Sequence, residues 1–235
     1  MFKFEKLIFG DLGWGDEFLF ATLMTITVSI LSMGLGLCLA IVTVWAKLIK
    51  NRIAGLIANF YTTVIRGVPE LLVIYLIFFG GNAVVMKIAK IFGYNGYIEL
   101  NALTIATIAI AIISATYSSE VLRAAYLSIS KGQLEAARAL GMSKFSIFFK
   151  VITPQVIRYA LPGIGNVWQI TLKDTSLISV TGLVEIMRQT RISSNVEHSP
   201  LTFLITAAIL YLCLTTFSGR FFKYLEINYS KGYST

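Results

Sequence analysis

Five ionisable side chains lie within or beside the long apolar runs of this 235-residue chain: Arg66, Glu70, Glu120, Lys173 and Asp174. A charge facing lipid is costly, so such groups face protein or a water-lined cavity, usually paired. Arg66 and Glu70 are four residues apart, which puts them on one face if the segment is helical. They can form a structural pair, a loop anchor or a gate, with substrate contact the lesser reading. Glu120 lies three residues before Arg123, at the expected end of an apolar run, where a structural or gating role is favoured over ligand binding. Lys173 and Asp174 follow an irregular run and can line a channel or simply stabilise a break. Asn166, Trp168 and Gln169 lie along that run and could meet a polar solute. Trp168 could stack on a guanidinium or imidazole, or pack as an interfacial aromatic.

A second kind of chemistry is suggested by Glu135-Ala136-Ala137-Arg138-Ala139-Leu140-Gly141. Residues 133–140 are strong helix formers, and Gly141 can end that helix or permit a sharp turn. Ala136 and Ala137 have almost no side-chain bulk, so a partner groove can close around them. Glu135 and Arg138 are three apart and can share a helix surface. Residues 142–151 read as a second short helix, with Phe145, Phe148 and Phe149 expected to anchor it against the body. Pro154 stops or redirects that helix. The alternative is an ordinary solvated helix.

These groups must be positioned by a membrane-embedded scaffold. Hydrophobic residues make up 56% of the chain and mean hydropathy is +0.76, too apolar for an ordinary soluble domain. Cys38 and Cys213 both lie inside apolar runs without neighbouring ligands, and the single His198 cannot hold a metal alone. No metal or catalytic site is expected. The net charge of +8 lacks the basic-aromatic interleaving that grips nucleic acid, and reads instead as cytoplasmic loop charge. The acidic start and the long first apolar run argue against a cleavable signal peptide.

About twenty apolar residues cross a bilayer as a helix. Five approximate spans result: 18–45, 57–80, 100–117, 157–172 and 201–218. A short amphipathic helix is expected around 84–92, and an external connection with some helix over 174–200. Pro162, Gly163 and Gly165 make the fourth span irregular, which a bilayer tolerates only beside protein or a wet cavity. Lys47, Lys50 and Arg52 follow span one. Arg123, Lys131, Arg138, Lys144 and Lys150 follow span three, and Arg220, Lys223 and Lys231 follow span five. If these regions are cytoplasmic, the N-terminus is outside and the C-terminus inside. Four acids against two lysines at the start of the chain agree.

Glu135-Ala136-Ala137, Gly141 and then Val151-Ile152-Thr153-Pro154 resemble the EAA signature of ATP-binding-cassette (ABC) importer permeases. That family commonly ends the signature with Ile-X-Leu-Pro, so Val151 is a mild departure and Thr153 a larger one. Arg66-Gly67-Val68-Pro69-Glu70-Leu71-Leu72, Gly132-Gln133-Leu134, Arg158-Tyr159-Ala160-Leu161-Pro162-Gly163-Ile164-Gly165-Asn166 and Leu172-Lys173-Asp174-Thr175-Ser176-Leu177 extend the resemblance over most of the chain. Together they look like the polar amino-acid permeases, nearest the histidine, arginine, lysine, ornithine and opine branch.

The resemblance implies an all-α integral membrane protein: a type I ABC importer permease, one domain over 1–235, with about five transmembrane helices. A cytoplasmic coupling helix would lie in 131–154. Glu135, Ala136, Ala137 and Gly141 would contact an ATPase dimer, and residues 142–150 would support them. The chain lacks a phosphate loop, so it is expected to be no enzyme and to hold no cofactor, ATP and Mg being used by the partner. Five spans are few to enclose a path, and a second, non-identical permease is the expected mate. An external or periplasmic binding protein would deliver the solute at a bacterial inner membrane, with lipid around the bundle and no nucleic acid involved. A basic amino acid or opine is the expected cargo, with glutamine or another polar amino acid as the alternative. An ATP-independent channel or carrier and a passive anchor are the competing classes, and the coupling segment argues against both.

Overall fold

The computed structural model describes residues 4–10, 13–94, 96 and 101–230, and every described regular element is helical. Lys3, Asp11, Lys231 and the start of the third expected span at Leu100 lie outside those residues. Helix α1 (Gly15–Leu48) has 34 residues, about 51 Å at 1.5 Å per residue, against a hydrocarbon core of roughly 30 Å. It packs most extensively on α4 (Ala102–Leu127). The contact is close because both helices carry small residues there. Ser32 donates to the Thr107 carbonyl at 3.1 Å, crossing from one backbone to the other.

The second expected span is two helices. Helix α2 (Arg52–Gly67) starts at Asn51, whose side chain accepts from the Ile53 and Ala54 amides. It stops at Val68, which adopts extended backbone before Pro69, as the residue before proline prefers. Helix α3 (Glu70–Ile91) then continues without interruption. The separate amphipathic helix expected over 84–92 is therefore the end of α3, because nothing between Gly80 and Ile91 breaks the backbone ladder.

After α4 come α5 (Lys131–Ala139), the single turn α6 (Lys144–Ile147), and a π-helical turn, Phe148–Ile152. That turn runs directly into α7 (Thr153–Asp174), so Pro154 begins a helix rather than ending one. Its missing N–H costs nothing in a first turn. Pro162 lies inside α7, which stays continuous. Gly163 and Gly165 serve close approach: a Cβ on Gly163 would strike Val121 of α4, and one on Gly165 would press on Phe222. The irregularity comes later, in the 3-10 helix Thr175–Thr181.

Helix α8 (Ile186–Glu197) and the long α9 (Pro200–Ser230) close the fold. Residues 174–200 are more than a surface connection, since Asp174, Thr175, Ile178, Glu185, Gln189 and Ser193 are all buried. The central apolar cluster joins Val28, Val73, Ile74, Ala109, Ile110, Ile113 and Ile178. Helices α1, α3, α4 and α9 are long and apolar enough to cross a membrane. Helix α7 is more polar and amphipathic, with Tyr159, Pro162, Asn166 and Lys173 exposed along it.

Candidate translocation and coupling sites

Helix α5 ends in a turn that fixes the candidate coupling segment. Gly141 has φ of +72°, a left-handed conformation that glycine adopts without a Cβ penalty. Its N–H donates to the Arg138 carbonyl at 2.9 Å, and the Met142 N–H donates to the Ala137 carbonyl at 3.1 Å. This is the Schellman arrangement, which satisfies the last carbonyls of α5. Space around Gly141 is open, so the demand is conformational rather than steric.

The small residues divide between two duties. Ala136 is exposed while Ala137 is buried in the protein itself. Glu135 and Gly141 are also exposed. Phe145, Phe148 and Phe149 do not anchor the loop inward. They are exposed and packed on one another at tilted and edge-on angles, with Phe145 and Phe149 ring centroids 4.5 Å apart. Ile147 is the buried anchor, because a one-turn helix offers only one inward position. Leu140, 81% exposed, joins the aromatics on the open side.

The candidates along α7 separate in the same way. Asn166 is exposed. Gln169 donates to the Thr215 carbonyl at 3.1 Å and to Ser218 Oγ at 3.2 Å. Trp168 packs on Phe222 with centroids 6.2 Å apart. Both therefore face α9, and the packing reading of Trp168 describes its position. Lys173 is exposed while Asp174 is buried. Adjacent helical positions point about 100° apart, so the two charges part company.

Asp174 approaches Glu70, one carboxyl group toward the other. Tyr117 of α4 donates to Glu70 Oε1 at 3.0 Å, and the Arg66 guanidinium lies 5.6 Å from the Tyr117 ring centroid. The helix break at 67–69 thus puts Arg66 over the ring of Tyr117 and Glu70 at its hydroxyl. Their four-residue spacing acts through Tyr117, where an unbroken helix would have brought them into direct contact. Two carboxyl groups this close repel unless a proton or a cation lies between them.

Glu120 forms a separate knot. It pairs with the Lys47 ammonium of α1 and accepts from Arg123 Nε at 3.1 Å. Lys47 also donates to Thr62 of α2 at 2.8 Å, joining three helices. Sequence reading counted Lys47 only as loop charge, and its four-carbon stem is what carries the ammonium back into the bundle. A fourth group, Glu185, was missed altogether. Its fully buried carboxylate accepts from the Met187 and Arg188 amides at 2.8 and 2.7 Å, and from the Tyr211 hydroxyl at 3.1 Å. The available signal was its setting, an acid between Leu183-Val184 and Ile186-Met187.

A buried acid at a helix break inside an apolar helical bundle points to a membrane transport protein. The chain belongs to the family described as "binding-protein-dependent transport system inner membrane component", matched over residues 32–230, and to its polar amino-acid and opine branch. It is 46% identical over 221 residues to the nopaline transport system permease protein NocQ of Agrobacterium fabrum, covering 94% of each chain. It is 42% identical over 224 residues to the octopine transport system permease protein OccQ of Agrobacterium tumefaciens, covering 95% of this chain and 94% of OccQ. The histidine/lysine/arginine/ornithine transport system permease protein HisQ of Escherichia coli is 35% identical over 220 residues, with 94% and 96% covered.

Among solved structures, an amino acid ABC transporter crystallised with histidines matches with a TM-score of 0.78 at 29% identity, over 92% of this chain and 95% of that one. The MetNI methionine ABC transporter shares the fold, with a TM-score of 0.70 at 14% identity over 91% and 96%. The fold is that of a type I ABC importer permease.

Proposed function

We propose that this chain lines the membrane path of an ATP-driven importer for a basic amino acid or opine, moved by alternating access. The Glu70–Asp174 pair carries the cargo reading. A cationic side chain entering between two carboxyl groups relieves their repulsion. The cargoes for which HisQ, OccQ and NocQ are named support the same class.

The exposed side of the coupling loop, with Glu135, Ala136, Leu140, Gly141 and Phe145, is the surface for a cytoplasmic ATPase dimer. ATP and Mg belong to that partner. A second, non-identical permease completes the path, and an external binding protein delivers the solute. Basic residues in the loop and in the last third of α9 support a cytoplasmic loop and C-terminus, with the N-terminus outside.

The test is ATP-dependent uptake into vesicles holding the complete complex, screened with histidine, arginine, octopine and glutamine. Glu70→Gln or Asp174→Asn is expected to raise the KM for arginine about tenfold, or 1.4 kcal/mol, and to change glutamine uptake little. Equal effects on both solutes would favour a general polar amino-acid permease. Uptake without ATP dependence would sink the importer reading.

A further inference from the structure

Helix α2 has three kinds of face. Tyr61 and Ile65 turn inward, while Ile53, Leu56, Ile57 and Phe60 are exposed and suited to lipid. Asn59, Thr63 and Arg66, at spacings of four and three, form an exposed polar stripe beside them. Exposed polar groups at membrane depth require water or protein. Here the stripe borders a cavity of about 500 Å3, whose other walls include Lys47 and Glu120. That volume lies within the usual range of small-molecule sites, roughly 300–1,000 Å3.

The wall charges are unequal in availability. Lys47, only 5% exposed at its side chain, is committed to Glu120 and Thr62. Arg66 rests its guanidinium against Tyr117 and opens onto the cavity. An arginine fork with a neighbouring amide and hydroxyl matches a carboxylate, and a guanidinium holds it in a bidentate geometry that an ammonium cannot. Glu120, partly exposed on the opposite wall, can face the α-ammonium of the same molecule.

We infer that this cavity is a second binding site, on the coupling-loop side of the Glu70–Asp174 pair, for the α-amino-carboxylate head of a free amino acid. It rests on the importer reading above. The acid pair reads a cationic side chain, whereas this vestibule reads the head group common to all amino acids. Arg66, on the Tyr117 ring whose hydroxyl holds Glu70, stands between the two. A solute leaving the acid pair therefore meets a carboxylate-selective site before release.

The test uses the complete complex in nanodiscs, with Cys38→Ala and Cys213→Ala removing native thiols and Thr63→Cys placing one in the cavity. A small water-soluble maleimide is expected to label it. L-arginine and L-glutamine should each slow labelling about fivefold when present at about four times their dissociation constants, because the free fraction falls as 1/(1+[L]/Kd). Agmatine, which keeps the guanidinium but lacks the carboxylate, should not protect. Adding Arg66→Gln should abolish protection, and Arg66→Lys should restore only part of it. Absence of labelling, protection by agmatine equal to that by arginine, or protection unchanged by Arg66→Gln would each overturn the inference. Should Thr63→Cys fail to assemble, Asn59→Cys reads the same wall. Intact ATP-dependent uptake without protection sinks the vestibule alone, whereas loss of ATP dependence in the unmodified complex sinks the importer reading.

Discussion

Glu185 and Glu120 are both acids drawn into the bundle, and they are held in opposite ways. Glu185 is fully buried, bound by two backbone amides of α8 and by Tyr211 of α9. The next amide, of Ile186, donates to Thr25 of α1 at 3.3 Å. None of these partners is an ion, and none can leave without stranding a buried polar group. Glu120 is held by two cations, Lys47 and Arg123, and its side chain remains partly exposed beside the cavity. Ions next to water can exchange partners. The Glu185 joint thus fixes α1, α8 and α9 as a unit, and the Glu120 joint is where α2 can part from the closely packed α1 and α4.

The largest expected effect follows from breaking the fixed joint. Glu185→Ala leaves two amides and a tyrosine hydroxyl without partners and should cost about 3 kcal/mol, read by thermal or denaturant unfolding of the purified complex. Wild-type stability in that variant would end the distinction. At the second joint, Glu120→Ala strands the buried Lys47 ammonium and should cost about 2 kcal/mol. The double change Lys47→Met/Glu120→Leu should restore stability to within about 1 kcal/mol of wild type. Its ATP hydrolysis without binding protein should rise about threefold, by shifting the balance of open and closed states. Recovery of stability with no change in basal hydrolysis would mean that the pair is structural only.

Smaller effects locate what moves with the openable end. Gly141→Val forces a β-branched residue into positive φ and should weaken ATPase association about tenfold, or 1.4 kcal/mol. Gly141→Asn should stay within about threefold, since asparagine tolerates that conformation. Comparable losses in both variants would point to a missing contact rather than a distorted turn. The smallest effect is expected between the two joints. Gln169→Leu removes two hydrogen bonds to α9 and should cost about 1 kcal/mol, leaving the KM for uptake unchanged. A raised KM would return Gln169 to the solute path.

Periodicity and composition made the helical membrane class, the short helix before Gly141 and the protein-facing placement of Glu70, Glu120 and Asp174 legible, because hydrophobic runs and costly charges are local properties of the chain. The turn at Gly141 was legible too, since glycine after a run of helix formers marks a helix end. Which neighbour each charge meets was not. Arg66 and Glu70 looked like a direct pair until the break at Val68-Pro69 set Tyr117 between them. Lys47 resembled a loop cation, and Glu185 drew no reading of its own inside the connection over 174–200. Pairing depends on helices brought together from positions 73 residues apart for Lys47 and Glu120 and 26 apart for Glu185 and Tyr211. Sequence spacing encodes the face a residue occupies within its own helix, and packing between helices selects its partner.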